Sequence, residues 1–258
     1  MILENNRYIG MKQMITSLQN NRVKEWKKLQ KKKERWSRLQ FLIEGYHLVE
    51  EAHKSDWNIL EIIVQKDVPY PDWYEQYPIY TCTENVMKSL AETDTPQGIM
   101  AVVTIKQEVQ TVGRYYLLLD AVQDPGNVGT MIRTADAAGF SAVIIGKGTV
   151  DIFNPKTIRA SQGSLFHIPV LQKDLRTQIK ELKQQGVTVL SSAIMNAVPY
   201  TEIKKDDKVA IIIGNEGSGI RKEILDMSDR TVQIPIYGKA ESLNASVAAG
   251  ILMYYIRS

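Results

Sequence analysis

The chain of 258 residues is poor in the groups that cross-link, bind metals or enter membranes: it has one cysteine and three histidines, and its net charge is only +3. Cys82 alone cannot close an intrachain disulfide, which points to a reducing compartment. His47, His53 and His167 show no ligand spacing among themselves or with Cys82, so no metal is expected. The longest apolar stretch, residues 247–256, is interrupted by Gly250 and falls far short of the roughly 20 residues a spanning helix needs. The opening MILENNRYIGMKQMITSLQ has no apolar core of signal-peptide type. A soluble, cytoplasmic protein with no membrane partner is expected. The 44% apolar content is ordinary globular usage and excludes a disordered or collagen-like chain. The length allows one large domain or two modest ones, each with a core that needs no staple.

The small net charge hides an uneven distribution. Residues 22–38, RVKEWKKLQKKKERWSR, hold nine Lys/Arg and two Glu, a local +7 that leaves −4 for the remainder. Trp26, Leu29, Trp36, Leu39 and Ile43 recur at three- and four-residue steps if Lys33 fills one turn, which predicts a single helix with an apolar stripe beside a cationic face. Two readings stand for the lysines: a solvated face whose stems snorkel over apolar surface, or contact with nucleic acid, which the two tryptophans and the charge density favour.

Next, FLIEGYHLVEEAHKS reads as helix, ILEIIVQ as strand, PIYTC as strand, TENVMKSLAE as helix and GIMAVVTI as strand. These form a small α/β domain over residues 1–106. The polar, aperiodic 107–114 reads as a linker. Beyond it, YYLLLD, SAVIIG, FHIPV, VTVLSSA, VAIIIG and TVQIPI are short apolar runs between helical stretches, the pattern of buried parallel strands. They define a second α/β domain, 115–258.

Ligands of open parallel sheets bind beyond the carboxyl ends of the strands, and three polar clusters follow such ends. In DAVQDPGNVGTMIRTADAAGF, Pro125 and Gly126 read as a turn, Asn127 as an N-cap, and Arg133 follows on the helix. The loop lacks G-x-G-x-x-G and the next strand ends in Gly146-Lys147 rather than an acid, which weighs against a nicotinamide cofactor. In IIIGNEGSGI, Gly214, Gly217 and Gly219 let backbone approach a ligand closely around Glu216; a glycine-rich turn with a solvated Glu is the plainer alternative. In IPIYGKAESLNASVAAGILMYY, Ser242 or Asn244 would cap the last helix, whose small residues suit a close helix contact.

Together these three segments, in this order, resemble the signature motifs of the SpoU (TrmH) family of RNA 2′-O-ribose methyltransferases. NPKTIRASQGSLFHIPV is similar to the family's segment between the first two motifs. The basic start, FLIEGYHLVEEA and TDTPQGIMAVV resemble the RNA substrate-binding domain carried by many members that act on ribosomal RNA. The resemblance implies a C-terminal parallel-sheet α/β methyltransferase domain with a deep trefoil knot, and a homodimer through the knotted region. It implies S-adenosylmethionine as cofactor, held by Gly214, Gly217, Ile234 and Leu243, with no metal. It also assigns catalytic positions to Arg133, Asn127, Glu216, Ser242 and Asn244, with Glu216 and Asn244 expected to hold Arg133 and the target nucleotide in register. A guanidinium normally stays charged in proteins, so Arg133 has two candidate roles: assisting loss of the 2′-OH proton, or gripping phosphate and the developing alkoxide. Lys27, Lys28, Lys31, Lys32 and Arg35 are the expected RNA contacts, and Trp26 or Trp36 could stack on bases.

The N-terminal domain favours a guanosine of large-subunit ribosomal RNA as target by analogy. Alternatives are a transfer-RNA ribose methyltransferase, a knotted base methyltransferase, and a non-catalytic RNA-binding ribosome-assembly factor.

Overall fold

A computed structural model describes residues 14–55, 57–106, 112–194, 197–203 and 206–258. Residues 1–13 of the opening segment, which lacks a signal-peptide core, and 107–111 of the linker lie outside the described residues. The chain divides into two compact units after Ile105.

The first unit is built on β1 (Gln40–Glu44), β2 (Ile59–Gln65), β3 (Ile79–Cys82) and β4 (Ile99–Thr104), in the order β1-β4-β2-β3. β4 runs antiparallel to β1 and β2, and β2 runs parallel to β3. The expected single basic helix is instead two, α1 (Asn21–Lys28) and α2 (Lys32–Arg38), because Lys31 adopts an extended backbone between them. Arg35 secures the break: its Nη1 donates to the carbonyls of Leu29 and Gln30, both at 2.8 Å. Leu39, at φ 53°, ends α2, so Ile43 lies on β1 rather than on a helical stripe. FLIEGYHLVEEAHKS is likewise a strand and then a helix. Gly45, at φ 97°, separates β1 from α3 (Tyr46–Lys54), a conformation that favours glycine. α4 (Glu84–Leu90) follows β3, and Val23, Trp26 and Leu29 of the α1 region pack with Val86, Met87 and Met100 in one apolar core.

Seven parallel-paired strands form the second unit: β5 (Tyr115–Asp120), β6 (Ala142–Ile145), β7 (Val170–Gln172), β8 (Thr188–Ser192), β9 (Val198–Pro199), β10 (Val209–Gly214) and β11 (Arg230–Gln233). Their order is β7-β6-β5-β10-β8-β11-β9. The two-residue edge strand β9 is too short to give a periodic signal, and only the last residue of FHIPV is strand, since Ser164–Phe166 form a 3-10 turn. The helices are α5 (Pro125–Ala137), α6 (Pro155–Ser161), α7 (Leu175–Gln184), α8 (Lys222–Leu225) and α9 (Ala245–Arg257). α7 and α8 cover one face of the sheet, where Ile179 and Ile224 meet Tyr116, Leu118, Ile144 and Ile212. Each such fully buried aliphatic side chain contributes roughly 1.5–3 kcal/mol. α5 packs against α6 and α9. Gly129 permits the first contact, since a Cβ there would lie 2.4 Å from the Thr157 carbonyl oxygen and 2.5 Å from Ala160 Cβ.

From β5 the chain builds outward through β6 to β7, then crosses to place β8 and β10 on the other side of β5. The reversal opens a crevice beyond the carboxyl ends of β5 and β10, the switch point at which open α/β sheets bind ligands.

Candidate functional site

At that crevice β5 ends in Asp120, which is fully buried. Its Oδ1 accepts from Arg221 Nε at 2.9 Å and Nη2 at 2.6 Å, and its Oδ2 from the Arg221 amide at 2.9 Å. The carboxylate in turn raises the Arg221 pKa. A buried charge held by two guanidinium bonds and an amide is compensated, and the clamp ties the chain after β10 to the end of β5. Between them, Asn215 donates to the Ala121 carbonyl at 2.9 Å and accepts from the amides of Gly217 and Ser218, each at 2.9 Å. Gly214 is required by this closure, because a Cβ would fall 2.3 Å from the Gly219 carbonyl carbon.

The same loop aims Glu216 at the start of α5. Its Oε2 accepts from the Gln123 amide at 3.1 Å; its Oε1 accepts from the Asp124 amide at 3.1 Å and from Asn127 Nδ2 at 3.0 Å. Partial burial pushes the Glu216 pKa up, but the Asn127 amide and the backbone N–H groups outweigh it and hold the group below its ordinary value. Asn127 Oδ1 accepts from Asn244 Nδ2 at 3.0 Å, and Asn244 caps α9 by accepting from the Ser246 and Val247 amides at 2.9 and 3.3 Å. One chain of side-chain bonds, Glu216–Asn127–Asn244, therefore joins three loops from distant parts of the sequence.

Asn127 is not the N-cap of α5. Asp124 holds that position, accepting from the Asn127 amide at 2.8 Å. Pro125 and Gly126 are the first helical residues rather than a turn, because proline at N1 is already set for helical φ. Of the two cap candidates before α9, Asn244 serves and Ser242 does not. Asp120, Arg221 and Asn215 are further residues of the site that no sequence motif singles out. The signal available for Asp120 was a charged residue closing the apolar run YYLLL.

Arg133 is brought neither to Glu216 nor to Asn244. It is exposed, two turns along α5, and its side chain has no hydrogen bond or ion pair among the described residues. Ser242 and Leu243 are also exposed, Ile234 is half-buried, and Gly217 lies in the Asn215 turn. In the first unit Arg35 is 3% exposed and cannot be an RNA contact, and Trp26, 2% exposed, cannot stack on a base. Lys28, Lys31 and Lys32 are exposed and Lys27 half-buried; Lys28 is paired with Glu25 at 2.6 Å.

The loops fit a nucleoside-containing cofactor. Residues 235–243 make no main-chain hydrogen bond among the described residues, and a Cβ at Gly238 would meet no atom within 4 Å. Bare N–H and C=O groups beside open space can read an adenine edge. As for metals, His47, Glu50 and Glu51 on α3 bring donor atoms within 4.8 Å of one another, an i, i+3, i+4 spacing that histidine and cysteine spacing alone does not reveal. Glu50 is committed to Lys54 at 2.8 Å. His53 bonds the Tyr77 hydroxyl at 2.7 Å, and His167 bonds Asp136 at 3.0 Å.

A parallel sheet with its ligand loops at the switch point and a fixed Glu–Asn–Asn chain defines a cofactor-binding α/β transferase. Residues 114–254 match the SpoU rRNA Methylase family, and the chain belongs to it; residues 20–101 match the MRM3-like substrate binding domain. The chain is 50% identical, over 96% of its length and 100% of the relative, to the 23S rRNA (guanosine(2553)-2′-O)-methyltransferase RlmP of Bacillus subtilis. A putative TrmH family tRNA/rRNA methyltransferase of Staphylococcus epidermidis is 32% identical over 83% of this chain and 94% of its own. The AdoMet-bound rRNA methyltransferase of Sinorhizobium meliloti superposes with a TM-score of 0.86 at 32% identity, covering 95% of this chain and 97% of that one. Among the described residues no helix is long and apolar enough to cross a membrane.

Proposed function

We propose that the chain transfers a methyl group from S-adenosylmethionine to the 2′-oxygen of a guanosine ribose in large-subunit ribosomal RNA, in the cytoplasm. The observation that carries this reading is the identity of half its residues, over nearly the whole chain, with a 23S rRNA guanosine 2′-O-methyltransferase.

The cofactor, when bound, supplies an electrophilic methyl group. Main-chain groups at Gly214, Gly217, Ile234 and Leu243 hold it, and Asn127, Ser242 and Asn244 position the ribose beside it for in-line attack. Glu216 stays ionised and works as an acceptor that fixes Asn127. Arg133, a permanent cation, grips a phosphate and the developing alkoxide. The C-terminal segment of this unit is read as threaded into a deep trefoil knot.

A second copy of the chain completes the enzyme. On α9 the exposed Val247 and Tyr254 continue an apolar stripe with Leu243, a surface suited to burial in a homodimer. Arg133 stands on α5, which packs beside α9, and within one protomer its side chain has no hydrogen-bond or ion-pair partner among the described residues. Residues 1–106 serve as the RNA-binding domain, with Lys27, Lys28, Lys31 and Lys32 as phosphate contacts, and 107–114 as the linker.

Mapping ribose methylation in ribosomal RNA from cells with and without the gene tests this reading, paired with methyl transfer by the purified protein. Loss of one large-subunit 2′-O-methylguanosine is expected. A methyl group found on a base nitrogen or in transfer RNA would overturn it.

A further inference from the structure

The carboxyl edge of the second unit carries cations that the proposed roles leave unused. Lys147 occupies the tip of a turn, Gly146–Thr149, closed by the Thr149 amide donating to the Gly146 carbonyl at 3.2 Å. Gly148, at φ 93°, supplies the positive φ that a type II turn needs at its third position. The turn is seated directly on the site loop. A Cβ on Gly148 would touch Ala121 Cβ at 3.0 Å, and the Val150 amide donates to the Val122 carbonyl at 2.9 Å. Lys173 stands at the neighbouring strand end, its amide bonded to the Ile145 carbonyl at 3.1 Å. Two neighbouring strand ends thus carry two lysines on one edge of the sheet, the Lys147 turn being the one seated on the Ala121–Asp124 segment that Asn215 and Glu216 secure.

Both lysines are exposed, and among the described residues neither side chain has a hydrogen bond or ion pair. The carboxylates in reach are already committed. Asp120 is held by Arg221, Asp124 accepts from the Asn127 amide and from Lys156 at 3.2 Å, Asp174 caps α7 through the Thr177 amide, and Glu216 faces the loop amides. Lys173 and Arg176 flank the N-terminus of α7 on either side of its cap, Asp174, whose carboxyl is held below its ordinary value by the Thr177 amide and, in smaller part, by the charge of Arg176. That one carboxylate leaves the two lysines and Arg176 with a net positive charge, which a polyanion would balance.

We propose that Lys147 and Lys173, with Arg176 beside them, form a phosphate-binding lip that holds the RNA backbone flanking the target nucleotide. This rests on the ribosomal-RNA reading above and adds to it a place on the catalytic unit itself where the substrate strand is gripped.

The test is steady-state methylation of a large-subunit rRNA fragment by the full-length wild type and the double variant Lys147→Ala/Lys173→Ala, at several salt concentrations. S-adenosylmethionine binding by calorimetry serves as the folding control. The variant should keep wild-type cofactor affinity and kcat within about twofold, raise KM for RNA about tenfold, and lower the slope of log KM against log salt by about 2, one per lost phosphate contact. Lys147→Arg/Lys173→Arg should restore most of the KM. An active wild type with an unchanged variant KM and slope overturns the lip alone. A wild type that methylates no ribosomal RNA overturns the substrate reading and the lip with it. Normal KM on the fragment but a defect on the ribosomal particle assigns the lip to a protein partner and also overturns the proposal.

Discussion

The side-chain amide of Asn244 donates to Oδ1 of Asn127 across 117 residues of sequence. Each asparagine is thereby oriented at both ends: Asn127 Nδ2 is spent on Glu216, and Asn244 Oδ1 on the first turn of α9. Removing either side chain frees the other, so their effects are coupled. Asn127→Ala and Asn244→Ala are each expected to lower kcat/KM for methylation at least about tenfold, and the double variant to be no worse than about the poorer single one. A double-mutant cycle measures this, and strictly additive losses would show that the pair does not act as a unit.

Arg133→Ala should abolish methyl transfer while leaving S-adenosylmethionine affinity near that of the wild type, because the guanidinium touches neither the Asn215 turn nor the 235–243 loop. Radiolabelled transfer and calorimetry on the same preparation separate the two. Retained turnover would remove Arg133 from the catalytic positions.

Glu216 contributes through its charge. Its folded pKa is depressed, so its stabilisation is complete above the ordinary glutamate value of about 4.3 and is lost as pH falls through the lower folded value. Glu216→Gln turns an N–H toward one of the loop amides. For so exposed a group the cost at pH 7 is about 1 kcal/mol, the ~1.5–3 kcal/mol of a charged hydrogen bond reduced by solvent screening. Thermal unfolding from neutral pH down to about pH 2.5 should show the wild type keeping its advantage over the variant to about pH 4.3 and losing it only below that.

Arg35 and Lys31 are close in sequence and should behave in opposite ways. Lys31→Ala/Lys32→Ala should weaken RNA binding and flatten its salt dependence by about 2 in log–log slope, with unfolding unchanged. Arg35→Ala leaves the carbonyls of Leu29 and Gln30 without their buried donor, and should destabilise the first unit by about 1–3 kcal/mol. Filter binding and denaturant unfolding distinguish them.

Asp120 and Arg221 form an ion pair at the crevice through two guanidinium hydrogen bonds to one carboxylate oxygen. Arg221→Met strands a fully buried carboxylate and should destabilise the second unit by about 3 kcal/mol. That is the lower end for breaking a buried pair, since the arginine reaches solvent. Urea unfolding followed by far-UV circular dichroism checks it.

Much of this arrangement was legible in the sequence, and the failures have local causes. The parallel strands of the second unit announce themselves as apolar runs, and the loops after β5, β10 and β11 carry glycine and polar residues where a ligand edge needs them. β1 was hidden because FLIE joins YHLVEEA into one plausible helical period; only the positive φ at Gly45 breaks it. The break between α1 and α2 was hidden because Arg35, a residue type read as surface charge, is instead a buried donor to two carbonyls. Among the site residues, types and spacing point to Asn127, Glu216 and Asn244 through family resemblance, but not to their bonding order. The Asp120–Arg221 clamp depends on two strand ends meeting in space, which no spacing along the chain encodes.

Trp26 is buried against the first unit's sheet, and the other three tryptophans, Trp36, Trp57 and Trp73, belong to the same unit. The molecule is therefore optically divided. Selectively excited indole emission follows the substrate-binding half alone, while the half that holds the cofactor loops is dark, so a single fluorescence titration can report RNA arriving at one unit without interference from cofactor arriving at the other.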